Sequence, residues 1–125
     1  MKRVILLAAL FVSGCGSATP GVAATPVVVT EGSITVVHRT LAAGRVSLEI
    51  GNEGQYDHTL VVTTDAGVVV AATGLIAAGT TTNLDVDLAP GGYQFSCRIV
   101  AVDADGAVVD HYQLGMRAEV RVRAG

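Results

Sequence analysis

Cys97 closes the segment Gly92-Tyr93-Gln94-Phe95-Ser96-Cys97, and His111 follows fourteen positions later at the head of His111-Tyr112-Gln113-Leu114-Gly115-Met116. A second histidine, His58, stands upstream in Asn52-Glu53-Gly54-Gln55-Tyr56-Asp57-His58. Together these residues offer one thiolate, two imidazoles and one thioether. Soft sulfur with imidazole selects copper, and a trigonal His₂Cys plane with a weak axial Met is the donor set of a blue, electron-transferring copper site. Each residue has a plainer reading when taken singly. His58 is then a strand-start histidine, His111 a loop residue beside Asp110, Met116 core filler and Cys97 a small buried hydrophobe.

The N-terminus reads as an export signal covering residues 1–14. Lys2 and Arg3 supply the positive start, and Val4 to Val12 is an unbroken apolar run. That run is shorter than the roughly 20 residues a bilayer span needs, but it suits a signal-peptide core. Val12-Ser13-Gly14-Cys15 resembles the bacterial lipobox, in which small residues precede a cysteine that becomes lipid-modified. Cys15 is therefore the expected lipidation site; the alternative is an ordinary secretory peptide cut a few residues later. Residues 15–26, rich in Gly, Ser, Ala, Thr and Pro, read as a flexible tether. Residues 27–125 have the size of one domain.

Two cysteines are present, Cys15 and Cys97. With Cys15 lipidated or removed, Cys97 has no partner for an internal disulfide. A lone thiol in an oxidising compartment is buried, reactive or metal-bound. The formal charge of −3 becomes about −5 once Lys2 and Arg3 leave with the signal. No basic patch invites nucleic acid, and no second apolar run invites a membrane span. The acidic run Asp103, Asp105 and Asp110 lacks the ligand spacing and terminal Glu of an EF-hand loop. No Ser–His–Asp arrangement can be argued, and one mononuclear site without a second copper cluster suits electron passage more than substrate turnover, so the chain does not read as an enzyme.

The elements that must position these donors read as strands. Val46, Leu48 and Ile50 alternate with Ser47 and Glu49; Leu84, Val86 and Leu88 with Asn83, Asp85 and Asp87; Ala118, Val120 and Val122 with Glu119, Arg121 and Arg123. Tyr93, Phe95 and Cys97 share one face, which points Cys97 inward. His58, Leu60 and Val62 share another, as do Ile34, Val36 and His38, with His38 at the strand end. Leu41 to Gly44 reads as a loop, and Ala71 to Ala78 has room for a short helical turn. Strands at this spacing, joined by Gly, Pro and Asp turns, predict an all-β, two-sheet Greek-key β-sandwich.

Several landmarks then come in the order found in cupredoxins, the blue-copper family of plastocyanins, azurins and sulfocyanins. Ala43-Gly44-Arg45-Val46-Ser47-Leu48 resembles the family's aGxVxl segment. Ile50-Gly51-Asn52-Glu53-Gly54 with His58-Thr59-Leu60-Val61-Val62 resembles xxNxG…Hxxvv. Leu88 to Cys97 resembles LxPGxYxxxC, and His111 to Met116 resembles HxxxGM. The resemblance implies a cupredoxin-like fold and one type 1 copper held by His58, Cys97, His111 and Met116. Cys97 would bind as thiolate, each histidine through one ring nitrogen, and Met116 as the weak axial ligand. It also implies electron exit at the ring edge of His111, with Tyr112 and Leu114 as neighbours.

Two departures stand out. Thirteen residues, Arg98 through Asp110, separate Cys97 from His111, where the family's familiar loop has only a few. Their two apolar arms around Asp103-Ala104-Asp105-Gly106 read as a β-hairpin, which returns its ends to neighbouring positions. Thr59 stands where plastocyanin-like proteins often carry Asn. The expectation is a monomeric, lipid-anchored electron carrier in the periplasm or at the cell surface, serving redox partner proteins at the membrane. Copper delivery, buffering or resistance is the first alternative, and a metal-free binding module the second.

Overall fold

The computed structural model describes residues 23–125. The expected signal segment, Cys15 and the start of the tether lie outside the described residues. The first strand, β1 (Thr25–Thr30), begins two residues ahead of Val27.

Alternating sequence becomes alternating burial. Along β4 (Gly44–Asn52) the side chains of Val46, Leu48, Ile50 and Asn52 are buried while Arg45 and Glu49 are exposed. β11 (Arg117–Arg123) repeats the pattern, burying Ala118, Val120 and Val122 beneath four exposed charged residues. Each strand thus offers one apolar face, and two such faces bury each other. One sheet has the order β2 (Ser33–Val36), β1, β4, β7 (Thr81–Leu88). The other has the order β3 (Thr40–Ala42), β11, β8 (Gly91–Ser96), β5 (Val61–Thr64), β6 (Val69–Ala72). Val29, Leu48 and Ile50 from the first sheet and Val62, Phe95 and Val122 from the second lie in one buried cluster. Full burial of such a side chain contributes roughly 1.5–3 kcal/mol. The all-β, two-sheet sandwich expected from the sequence is therefore present.

Two segments differ from their sequence reading. Leu41 to Gly44 is not a loop: β3 pairs in parallel with β11, and Leu41 joins the core. The chain then leaves this sheet for the other at Gly44, whose φ of 114° lies in the region that favours glycine. That crossover lets β4 lie parallel to β1, with β2 and β3 between them in sequence. Ala71 to Ala78 forms no helical turn. β6 runs to Ala72, the Thr73 hydroxyl accepts a bond from Leu60 N (2.9 Å), and Ile76 pairs with His58 in an isolated bridge. Cross-strand partners satisfy this backbone, and Thr73-Gly74 interrupts the apolar run a helix would need. His38 lies beyond the end of β2 and is exposed.

The predicted hairpin is real. β9 (Val100–Val102) and β10 (Val108–Asp110) pair antiparallel as a separate two-stranded sheet. Asp103 Oδ1 accepts from the amides of Asp105 and Ala107, both at 2.9 Å, which closes the turn and gives this acidic residue a structural role. Val100, Val102 and Val108 are 61%, 68% and 70% exposed, so the hairpin adds little to the core.

This division of labour has a measurable consequence. Phe95→Ala, at a fully buried position, should destabilise the protein by about 3–5 kcal/mol. Val102→Thr, on the hairpin, should change stability by less than about 0.5 kcal/mol. Urea unfolding of both variants checks the contrast.

Candidate metal centre

Cys97 follows directly on β8, whose neighbours β5 and β11 flank Ser96 on both sides. Its amide donates to Met116 O at 3.0 Å, so the backbone frame continues beyond the strand. The Met116 amide in turn donates to His111 O at 3.1 Å. Asp110 Oδ1 accepts from the amides of Tyr112 (3.0 Å) and Gln113 (3.3 Å), tightening the turn between His111 and Met116. The hairpin performs the expected return: His111 N donates to Ile99 O at 3.0 Å, two residues past Cys97. The thirteen-residue excursion thus leaves the position of His111 fixed by the strand ends.

His58 is held from the other side. Its amide donates to Ile76 O (3.1 Å) and its carbonyl accepts from Ile76 N (2.7 Å). Asn52, buried at the end of β4, ties the preceding loop to the same segment. Its Nδ2 donates to Tyr56 O and Ile76 O, both at 2.8 Å, and its Oδ1 accepts from Gly54 N at 2.9 Å. One side chain thereby fixes both flanks of His58.

The result is a meeting of three donors from distant sequence positions. His58, Cys97 and His111 each present one ligand atom, and these atoms lie within 4.8 Å of one another. His58 Nδ1 and His111 Nδ1 are 3.2 Å apart, and Cys97 Sγ is 3.7 Å from His111 Nδ1. His58 and Cys97 are fully buried, while His111 retains 8% exposure. Met116 is also fully buried, and its backbone is bonded to both Cys97 and His111. Cys97 is a free thiol. This buried thiol-and-imidazole cluster, with Met116 beside it, fits a single type 1 copper site.

Thr59 replaces the Asn seen in plastocyanin-like proteins without loss of a sulfur partner. Its amide donates to Cys97 Sγ at 3.5 Å, and its hydroxyl lies 3.6 Å from the same atom. Leu114 is exposed and lines a small cleft with His111, as expected for a surface beside the histidine. Tyr112 does not line it. That ring packs against the Arg98 and Arg117 guanidiniums, 3.9 and 4.9 Å from its centroid. Tyr56 and Val109 take the expected place, lining both this cleft and a larger one of about 430 Å³ beneath the hairpin.

Glu31 escaped the sequence analysis altogether. Its Oε1 lies 3.1 Å from His58 Nε2 and accepts from the amides of Gln55 (2.8 Å) and Tyr56 (3.0 Å). Nothing local to Glu31 signals a contact twenty-seven residues away. Asn52 was visible inside a motif, but its role in clamping His58 was not.

Both titrating neighbours favour the forms a metal centre needs. Burial pushes the Glu31 carboxyl up, but its own amide, those of Tyr56 and Gln55, and His58 together outweigh this and hold it at about 2. Burial pushes the His111 imidazole down; repulsion from His58 adds to this, while Glu31 and Asp110 oppose it. A neutral imidazole keeps a lone pair for a metal.

Known proteins supply the comparison. The family model described as a Cupredoxin-like domain matches residues 3–109 and so ends just before His111. No curated protein sequence matches the chain. The dithionite-reduced auracyanin of the photosynthetic bacterium Roseiflexus castenholzii is similar in structure, with a TM-score of 0.61 at 18% identity over 80% of this chain and 96% of that one. Auracyanin A of Chloroflexus aurantiacus, described as a "blue" copper protein, gives 0.58 at 17% identity over 78% and 99%. Rusticyanin of Thiobacillus ferrooxidans gives 0.60 at 19% identity over 80% and 77%. At these identities the likeness is one of fold.

The lowered values of His111 and Glu31 set a direction for pH. The unfolded chain holds more protons on both groups, so acidification favours unfolding. The His111 contribution is present above its ordinary value of 6.5 and is lost as pH falls through its lower folded value. That of Glu31 is present above 4.5 and is lost as pH falls through about 2. Urea midpoints of the metal-free chain should therefore fall on acidification, beginning below the ordinary histidine value of 6.5 and continuing below 4.5. His111→Gln should flatten the onset of the fall and Glu31→Gln its acid end.

Proposed function

Because the chain belongs to the cupredoxin-like domain family, we propose that it carries single electrons through one type 1 copper held by His58, Cys97, His111 and Met116. The observation that carries this reading is the convergence of a buried thiol and two imidazoles within 4.8 Å. When bound, copper supplies a centre that takes up and releases one electron as Cu(II) and Cu(I). The chain's own residues do the rest. Cys97 provides the thiolate, whose charge the Thr59 amide and hydroxyl stabilise. Asn52 and Ile76 hold His58, and the Asp110-capped turn holds His111 and Met116, so the donors need little movement when the charge changes. His111 reaches the surface between Tyr56, Val109 and Leu114, which makes it the route for electrons. Structural likeness to a protein described as blue copper supports the same reading. Complete burial of His58 and Cys97 favours retention of the metal over its delivery to an acceptor.

The setting is proposed from the N-terminal sequence. Export followed by lipidation at Cys15 places the domain outside the cytoplasm and at a membrane. The nine residues from Gly16 to Ala24 then separate the anchor from β1. Fully extended, such a tether reaches roughly 30 Å, which keeps the domain within range of membrane-bound redox partners.

Two outcomes check these statements. The purified chain should turn intensely blue with Cu(II), and Cys97→Ser should abolish the colour; a colourless wild type with stoichiometric copper contradicts the electron-transfer site. Cys15→Ser should move the protein from the membrane fraction to the soluble one, as read by fractionation of expressing bacterial cells.

A further inference from the structure

Glu31 sits in a cradle built for a carboxylate. A side-chain carbon on Gly54 would overlap both Glu31 oxygens, so glycine there makes the room they occupy. The amides of the next two residues, Gln55 and Tyr56, both donate to Oε1. Consecutive amides turned toward one anion form a nest, which fixes where the charge lies. The turn that carries Glu31 is held as closely. Gly115, at φ 111°, lets the loop between His111 and Met116 approach Gly32 so nearly that a Cβ would stand 2.7 Å from Gly32 O. These contacts direct Glu31 Oε1 to His58 Nε2, 3.1 Å away.

An ionised carboxylate only accepts, so the proton on this contact belongs to His58 Nε2. With a single ring proton placed on Nε2, the Nδ1 lone pair lies on the side facing His111 and Cys97. Partners of this kind fix the tautomer and raise the basicity of a metal-binding histidine.

We propose that Glu31 is a positioning residue of the metal centre: it selects the Nε2–H form of His58 and, as a fixed negative charge behind that ring, biases the bound copper toward Cu(II). The inference rests on the copper reading above. It assigns Glu31 and Thr59 opposite effects, since donors to the Cys97 sulfur favour the reduced state and a carboxylate behind His58 favours the oxidised one.

The test compares the copper-loaded full chain with Glu31→Gln, which keeps an oxygen acceptor but removes the charge. Its midpoint potential should rise, with the Cu(I)/Cu(II) binding ratio shifting about tenfold, or about 59 mV for one electron. A Gln variant that is blue at an unchanged or lower potential overturns the electrostatic role. Gly54→Ala fills the carboxylate's place without altering residue 31 and should shift the potential in the same direction, which provides the same reading should the Gln variant not fold. On the metal-free chain, ¹⁵N spectra of the His58 ring should show a single Nε2–H tautomer that becomes mixed in Glu31→Ala. A tautomer unaffected by Glu31→Ala overturns the positioning role. This last measurement needs no copper, so a colourless wild type would sink the electron-transfer reading while leaving the Glu31–His58 relation decided on its own.

Discussion

A thiol and two imidazoles cannot be crowded into an apolar interior unless the surrounding chain fixes their charges, protons and lone pairs. Burying polar groups without partners costs several kcal/mol, and the arrangement of this sandwich answers that cost at each donor. Cys97 receives the Thr59 amide. His58 has Glu31 on one nitrogen and His111 on the other. Among the described residues no buried side-chain nitrogen or oxygen lacks a partner. Fully satisfied buried polar networks rigidify a core, and the proposed electron transfer at low rearrangement calls for such rigidity.

The two sheets divide the work. β8, central in its sheet, ends one residue before Cys97 and carries it into the interior, two positions after the fully buried Phe95. The other sheet supplies Asn52 at the end of β4 and the Glu31 turn after β1, which together hold His58. The metal centre thus lies where one end of both sheets comes together. The long hairpin between Cys97 and His111 leaves this frame undisturbed because its strands pair with each other and its ends meet through the His111–Ile99 bond. What it changes is the surface: a cleft of about 430 Å³ now adjoins His111, walled by hairpin residues that are otherwise exposed.

Much of this was legible in the sequence because it rests on period-two patterns and short motifs. The alternation in β4, β7 and β11, the inward direction of Cys97 and the Asp-turned hairpin follow from neighbours along the chain. So does the convergence of His58, Cys97 and His111, once the weak motifs are taken in order. What escaped depends on contacts between remote backbone segments. β3 forms because β11 offers Leu41 a parallel partner and a core position. Ala71 to Ile76 forms no helical turn because Leu60 and His58 bond to Thr73 and Ile76. Glu31 reaches His58 only through the close approach of Gly54, and Tyr112 is drawn to two arginines. None of these has a local signature.

The donors of the centre come from loops, yet each loop is tied back to a strand within one or two residues of the donor. The site therefore behaves as an extension of the sandwich, not as an appendage to it. X-ray absorption of the copper-loaded chain in both oxidation states tests this most directly. We predict one thiolate sulfur and two imidazole nitrogens around copper in each state, with the coordination number unchanged on reduction. A shell of nitrogen and oxygen alone, or a ligand lost between the two states, would contradict it.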